Sequence, residues 1–377
     1  MTAPKTAPRV DFLYLDEQDM IDAGVLNMNQ CIDEMTEVFK LLSKGDYVMG
    51  GKYGNSHGIV LTFPDEPEHE GMPKNGPDRR FCAMPAYLGG DYRIAGCKWY
   101  GSNLTNIPKE LPRSILMMTL NDADTGAPMA HMSANLLSAW RTGAIPGVGV
   151  KYLAKPDSKV IGLLGAGSIG TSTAESILNS APNAELVKIY DIEEKTARTL
   201  QSRLMEQYNL EVVLVNSTEE CVRDSDIINL ATSGQANPYI DKEWMKPGLL
   251  ITASSSGSFD PDHTIENLRL VVDNWAMYEE VVHEDSYPYN NLAMGVLGRL
   301  FLDWIHEGRM TDEKIINIGD VINGKVPARE SEDDVIIFAL GGQPVYDVAW
   351  AYRVYQNALE KGIGTKLNLW ERAYQAR

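Results

Sequence analysis

"VIGLLGAGSIGTSTAESIL", residues 160–178, is an apolar run that turns through three glycines into a segment with helical spacing. Gly165, Gly167 and Gly170 stand in the order G-x-G-x-x-G directly behind Val160–Leu164. Gly165 suits a tight turn, Gly167 lets backbone approach a pyrophosphate, and Gly170 permits close helix packing. The N–H groups of the first helical turn, at Ser168, Ile169 and Gly170, and the positive end of the helix dipole then face the phosphates. A second apolar run, "LVKIYD", ends in Asp191, 21 residues beyond Gly170, where an acid can bind ribose hydroxyls. A glycine-rich turn that binds nothing is the ordinary alternative, and the strand, turn, helix, strand and acid together disfavour it. Glu193 and Glu194 follow with no arginine beside Asp191, so NAD is expected over NADP, with NADP the alternative.

Outward from this stretch, "ELVKIYD", "EVVLV", "DIINLAT", "GLLITAS" and "LRLVVD" recur as short continuous apolar runs with helical or polar segments between the first few. Such runs suit parallel strands covered on both faces. Ser217 and Glu220 form a capping-box pattern that opens a helix between two of them. The expected fold class is α/β: a Rossmann dinucleotide-binding domain over residues 141–329. It is joined to a discontinuous α+β domain for substrate and dimerisation, built from residues 1–140 and 330–377. In that second domain, Met28 to Leu42 carries apolar residues at helical spacing and closes at Gly45. Residues 62–80 read as a long Pro- and Gly-rich loop, and 114–122 and 125–133 as two strands joined by a turn. A final helix from Pro344 ends at Lys361 and Gly362.

The totals narrow the function. The chain has 377 residues, enough for two domains with a large interior. Its 52 acidic against 34 basic residues give a net charge of -18, which disfavours nucleic acid and anionic membranes as partners. Cys31, Cys82, Cys97 and Cys221 show neither a zinc spacing nor a disulfide pattern. No apolar leader or membrane-spanning run stands out, so the cytoplasm is the expected location.

The segments "MPAYLGG", "AGCKWYGSN", "LNDADTGAPMA", "SAWRTGA", "GLLGAGSIG" and "ALEKGIGT" resemble the ornithine cyclodeaminase and mu-crystallin family, from about Met84 to the end of the chain. "SHGI", "DRRFCAMPAYLGG" and "LPRSILMMTLND" are similar to a branch of that family named for the second component of a tyramine oxidase. The resemblance implies a homodimer, an NAD(P) domain inserted between two pieces of a substrate-binding domain, and a small amine, amino acid or imino acid as substrate. It also points to Lys98, in "GCKWY", and Arg141, in "AWRTG", as residues that face the substrate.

Their chemistry makes sense unaided. A guanidinium can clamp a carboxylate in two bonds, and a partly desolvated lysine can exchange a proton at nitrogen. A solvated lysine and a helix-face salt bridge are the ordinary alternatives for Lys98 and Arg141. Arg113 stands where relatives often carry a small hydroxyl residue; it could bind phosphate, an extra substrate acid group or a surface carboxylate. Arg79, Arg80 and Lys52 are further carboxylate contacts or plain solvated charges. His57 is a possible proton shuttle, and His131 reads as core. Trp99, Tyr100, Trp140, Met117, Met118 and Met129 wall a pocket or fill the core. Tyr346 and Asp347 match a polar position that relatives keep near the nicotinamide.

The cyclodeaminase branch places an aspartate where this chain reads Ser256, Gly257 and Ser258; the next acids are Asp260 and Asp262. Hydride chemistry survives that loss better than redox-neutral ring closure does. The expected activity is therefore an NAD-dependent oxidoreductase at a C–N bond, with two alternatives: a cyclodeaminase-type lyase, and a non-catalytic NAD(P)H-binding accessory protein of an amine oxidase system. Thr232, Ser255 and Ser256, at the ends of two strands, are expected to lie beside the nicotinamide.

Overall fold

In a computed structural model that describes residues 9–232, 236–290 and 296–374, Val160–Leu164 is a strand and Ser168–Ser180 a helix. Eight strands run parallel in the order Glu211–Leu214, Leu186–Tyr190, Val160–Leu164, Ile227–Leu230, Leu250–Ala253, Val335–Ala339, Leu268–Val272 and Ile315–Asn317. The first of these eight strands in chain order, Val160–Leu164, lies third, so the order reverses between it and Ile227–Leu230. Ligands of open α/β sheets bind at such a switch point. The central strands are buried along their whole length, in keeping with their unbroken apolar character.

The chain divides into two compact units, residues 28–45 with 139–342, and residues 1–27 with 46–138 and 343–377. Two segments depart from the expected boundaries. Val335–Ala339, expected in the tail of the substrate domain, fills the sheet between Leu250–Ala253 and Leu268–Val272. The helix Met28–Leu42 belongs to the dinucleotide unit, because glycines there let it come close. A Cβ at Gly319 would sit 2.3 Å from the Phe39 carbonyl oxygen, and one at Gly147 would sit 3.1 Å from Ile32 Cδ1.

The other unit is a mixed sheet in the order Thr365–Trp370, Val10–Leu15, Pro128–Ser133, Ser114–Asp122, Ile94–Ser102, Arg80–Leu88 and Tyr47–Met49, with Ile59–Thr62 also paired to Arg80–Leu88. Side chains alternate between faces. Met84, Lys98, Met118 and Leu120 point inward, where the helix Pro344–Lys361 packs and stops at Gly362 in a left-handed turn (φ +67°).

The other face carries Phe81, Trp99, Ile115 and Met117, each more than a third exposed, with Phe81 and Trp99 stacked at 5.7 Å. Trp99 and Met117 are therefore neither pocket wall nor core, whereas Met118 is core. His131 is on the outer face too. It is half-buried, bonded through Nδ1 to the Thr119 hydroxyl at 2.9 Å and stacked on Tyr14, so the core assignment fails by one step of the alternation. Among the described residues, no helix is long and apolar enough to cross a membrane.

Candidate functional site

The glycine turn is held by contacts that explain each glycine separately. Gly165 adopts φ +100°, and a Cβ there would meet the Ala231 carbonyl oxygen at 2.4 Å. Gly170 lies against the turn itself; its Cβ would sit 2.3 Å from the Gly165 carbonyl oxygen. Gly167 differs: its backbone is extended, and a Cβ there would meet nothing within 4 Å. The helix Ser168–Ser180 has no side-chain cap, so its first N–H groups have no intrahelical partner. An open backbone at an uncapped helix start is a cradle for a phosphate-bearing ligand.

Asp191 closes the other side of the turn. Its Oδ2 accepts from the Ala166 N–H at 2.7 Å and its Oδ1 from the Glu193 N–H at 2.8 Å. Each oxygen keeps a second lone pair for a hydroxyl. At the switch point, Thr232 N–H donates to Ser255 Oγ at 3.1 Å, while the buried hydroxyls of Ser254 and Ser256 have no hydrogen-bond partner. Unpartnered hydroxyls beside a glycine cradle fit a ligand with amide and phosphate groups, so these residues suit a nicotinamide dinucleotide. Asp260 caps the helix Pro261–Asn267 through the His263 N–H and pairs with Lys242, and Asp262 pairs with Arg309. These acids do structural work and do not replace the aspartate missing at Ser256–Ser258.

Arg141 sits in the helix Asn135–Leu153 and is buried. Gly342, at φ +68°, lies against it: a Cβ there would come 3.0 Å from Arg141 Nη1. Burial and then the charge of Glu34 push the Cys31 thiol well up, and the charge of Arg141 opposes that shift. The sequence reading missed a buried ladder behind the turn: Asn229 donates to Thr173 Oγ1 at 3.1 Å, and Thr252 Oγ1 donates to Asn229 Oδ1 at 2.9 Å. These bonds tie two strands to the cradle helix.

The sheet unit gathers a second group of predicted residues. Lys98 Nζ donates to Asp347 Oδ2 at 2.7 Å and to Ser138 Oγ at 3.3 Å, with both members of the ion pair buried. Removing either member of a buried pair like this leaves the other charge uncompensated, which costs roughly 3–5 kcal/mol. Lys98 Nζ also stands 5.9 Å from the centre of the Tyr100 ring.

On the neighbouring strand, opposite Ser102, Arg80 pairs with Asp78, and Arg113 Nε lies 3.0 Å from Asp78 Oδ2, a buried oxygen without an aligned hydrogen bond. Burial, and then the charge of Arg80, lower the pKa of Arg113 from the usual arginine value. Burial and then the neighbouring Cys82 raise the Tyr100 phenol, and the charge of Arg80 opposes them. Lys52 lies in an exposed bend, 4.9 Å over the Tyr53 ring, and Arg79 is held by the Lys74 carbonyl. Asp78 was not foreseen: it sits in the long loop at φ 57°, with no local pattern to mark it.

The sequence profile of the ornithine cyclodeaminase/mu-crystallin family matches residues 25–362. The N-((2S)-2-amino-2-carboxyethyl)-L-glutamate dehydrogenase of Staphylococcus aureus is 28% identical over 364 residues, 96% of this chain and 99% of that protein. The alanine dehydrogenase of Archaeoglobus fulgidus is 31% identical over 364 residues, covering 95% and 98%. An archaeal alanine dehydrogenase dimer with bound NAD superposes with a TM-score of 0.77 at 27% identity, covering 96% of this chain and all of that one.

Proposed function

The chain belongs to the ornithine cyclodeaminase/mu-crystallin family, and we propose that it is an NAD-dependent oxidoreductase that interconverts an amino acid or amine with its imine or oxo acid. The observation that carries this reading is the open cradle at Gly167, with Asp191 tied to the same turn. The relatives named above, dehydrogenases of amino acids, give it support.

Ser168, Ile169 and Gly170 would hold the pyrophosphate through their N–H groups, Asp191 the ribose, and Thr232 with Ser254, Ser255 and Ser256 the nicotinamide end. When bound, NAD supplies a hydride acceptor or donor. Lys98 holds a proton for the substrate nitrogen or oxygen, and Asp347 keeps that ammonium charged. Ser138 Oγ accepts a second hydrogen bond from the ammonium and helps to fix its direction. Arg141 is the proposed anchor for the substrate carboxylate.

Absorbance of NADH decides the reading. Purified protein is mixed with oxo acids and ammonia or amines, with imino acids, and with ornithine plus NAD. Net change in NADH is the expected result. Ammonia released from ornithine without net NADH change would establish a cyclodeaminase instead, and NADH binding without turnover would favour the accessory role suggested by the tyramine oxidase resemblance.

A homodimer is part of the proposal. The exposed face of Phe81, Trp99, Ile115 and Met117 is an apolar patch on one side of a sheet, a surface that soluble chains normally cover. Sedimentation of Trp99→Glu, expected to shift toward the monomer, checks it; an unchanged dimer would place the interface elsewhere.

A further inference from the structure

Resting on the oxidoreductase reading above, we propose that the substrate carries a second acid group beyond the one at the reacting carbon, and that Arg80 and Arg113, set around Asp78, form its subsite. Three features carry this. The first is position. Arg80 lies opposite Ser102, and Ser102 opposite Ser114, while Lys98 lies opposite Met84 and Met118. Every one of these residues is an even step from Lys98 or its partners, so Arg80, Tyr100 and Lys98 share the inward face of the sheet.

The second is charge. Two guanidiniums share one carboxylate, which leaves about one positive charge uncompensated in a place half withdrawn from water. Asp78 is held in a left-handed backbone conformation (φ 57°), where both arginines reach it. A single monoanionic carboxylate balances such a triad; a phosphate dianion would overcompensate it beside Asp78. Asp78 thus orients the arginines, which a planar, bidentate acid would then engage.

The third is span. The Tyr100 ring is the link: Lys98 Nζ is 5.9 Å from its centre, and Arg80 lies opposite Ser102, two residues beyond Tyr100 on the same face. Four residues of strand separate Lys98 from Ser102, so the two side chains are rooted about 13 Å apart along the strand. With one hydrogen-bond length of about 3 Å at each end, up to about 7 Å remains between the reacting nitrogen and the distal carboxylate. That is the reach of a dicarboxylate of oxaloacetate to 2-oxoadipate length. The Tyr100 ring would lie along its methylene chain.

The test is the ratio of kcat/KM for oxaloacetate, 2-oxoglutarate and 2-oxoadipate, each with ammonia, to that for pyruvate, 2-oxobutyrate and 2-oxohexanoate. In the wild type one diacid is expected to exceed its monoacid counterpart by roughly 100-fold, from about 1.5–3 kcal/mol per charged hydrogen bond. Arg113→Ala, which leaves Arg80 paired with Asp78, should bring that ratio to about 10 or below, with Arg113→Lys between the two. Turnover of monoacids with no diacid preference overturns this inference and leaves the oxidoreductase reading standing.

Should no oxo acid turn over, the subsite is read without chemistry. Glutarate should then raise the Tm of the NADH-loaded protein more than butyrate does, and Arg113→Ala should remove the difference. Equal shifts for glutarate and butyrate overturn the inference by that route.

Discussion

Substituting alanine at Gly167 and at Gly170 should separate cofactor binding from folding, because the two glycines are needed for different reasons. At Gly167 the backbone is already at φ -65°, which any residue adopts, and a Cβ meets nothing within 4 Å. Stability should therefore stay within about 0.5 kcal/mol of wild type. The methyl group would stand where the pyrophosphate comes against the backbone. Losing one hydrogen bond to a charged group costs about 1.5–3 kcal/mol, so NADH affinity should fall roughly 10- to 150-fold. At Gly170 the Cβ would sit 2.3 Å from the Gly165 carbonyl oxygen and 2.9 Å from its carbon. Both are backbone atoms that cannot rotate away, so Gly170→Ala should destabilise the unit by about 1–3 kcal/mol. Urea unfolding without cofactor and fluorescence titration with NADH measure the two effects. The reasoning is refuted if Gly167→Ala binds NADH like wild type, or if it unfolds as readily as Gly170→Ala.

Further outcomes follow from other groups. Lys98→Met should abolish turnover and leave the NADH titration nearly unchanged; retained turnover would remove Lys98 from the chemistry. Asp226 accepts from the N–H groups of Lys159 and Val160 and pairs with Lys246. Burial raises its pKa, but these partners outweigh that and hold it below the usual carboxylate value. Its stabilisation is thus present above the unfolded carboxylate pKa of about 3.9 and lost as pH falls through the folded value. Asp226→Asn should accordingly lose about 1–2 kcal/mol at pH 7, with the gap to wild type closing in acid denaturation. Burial pushes the Cys221 thiol up to about 12 and the Cys31 thiol well above its usual value. In native protein at pH 8 both should resist thiol reagents that label them at once in urea; fast native labelling would contradict their placement in the core.

The dinucleotide half was readable because its signals are local. Continuous apolar runs, glycine spacing and an acid at a fixed distance each lie within a short stretch of chain. The sheet position of Val335–Ala339 was not readable: the run itself is plain, but nothing in chain order says that it enters between Leu250–Ala253 and Leu268–Val272. The faces of the other sheet were within reach and were misjudged. Once Lys98 points inward, alternation sends Trp99 outward, and the pairing of Trp99 with Met117 sends that residue out as well. Asp78 was out of reach, since its role depends on a backbone conformation within a Pro- and Gly-rich loop. Asp347 was visible only as a loose match, because its partner Lys98 lies 249 positions away.

The late entry of Val335–Ala339 also bears on how the protein is made. Leu268–Val272 and Ile315–Asn317 join the rest of the parallel sheet solely through that strand. During synthesis the strands on its two sides therefore cannot be joined into one sheet until nearly nine-tenths of the sequence has been made. The interval is longest for Leu250–Ala253, whose free edge waits for a partner more than eighty residues downstream. A chain ended within that window would leave this apolar edge open to pairing with another copy of itself, a hazard that the arrival of Val335–Ala339 removes.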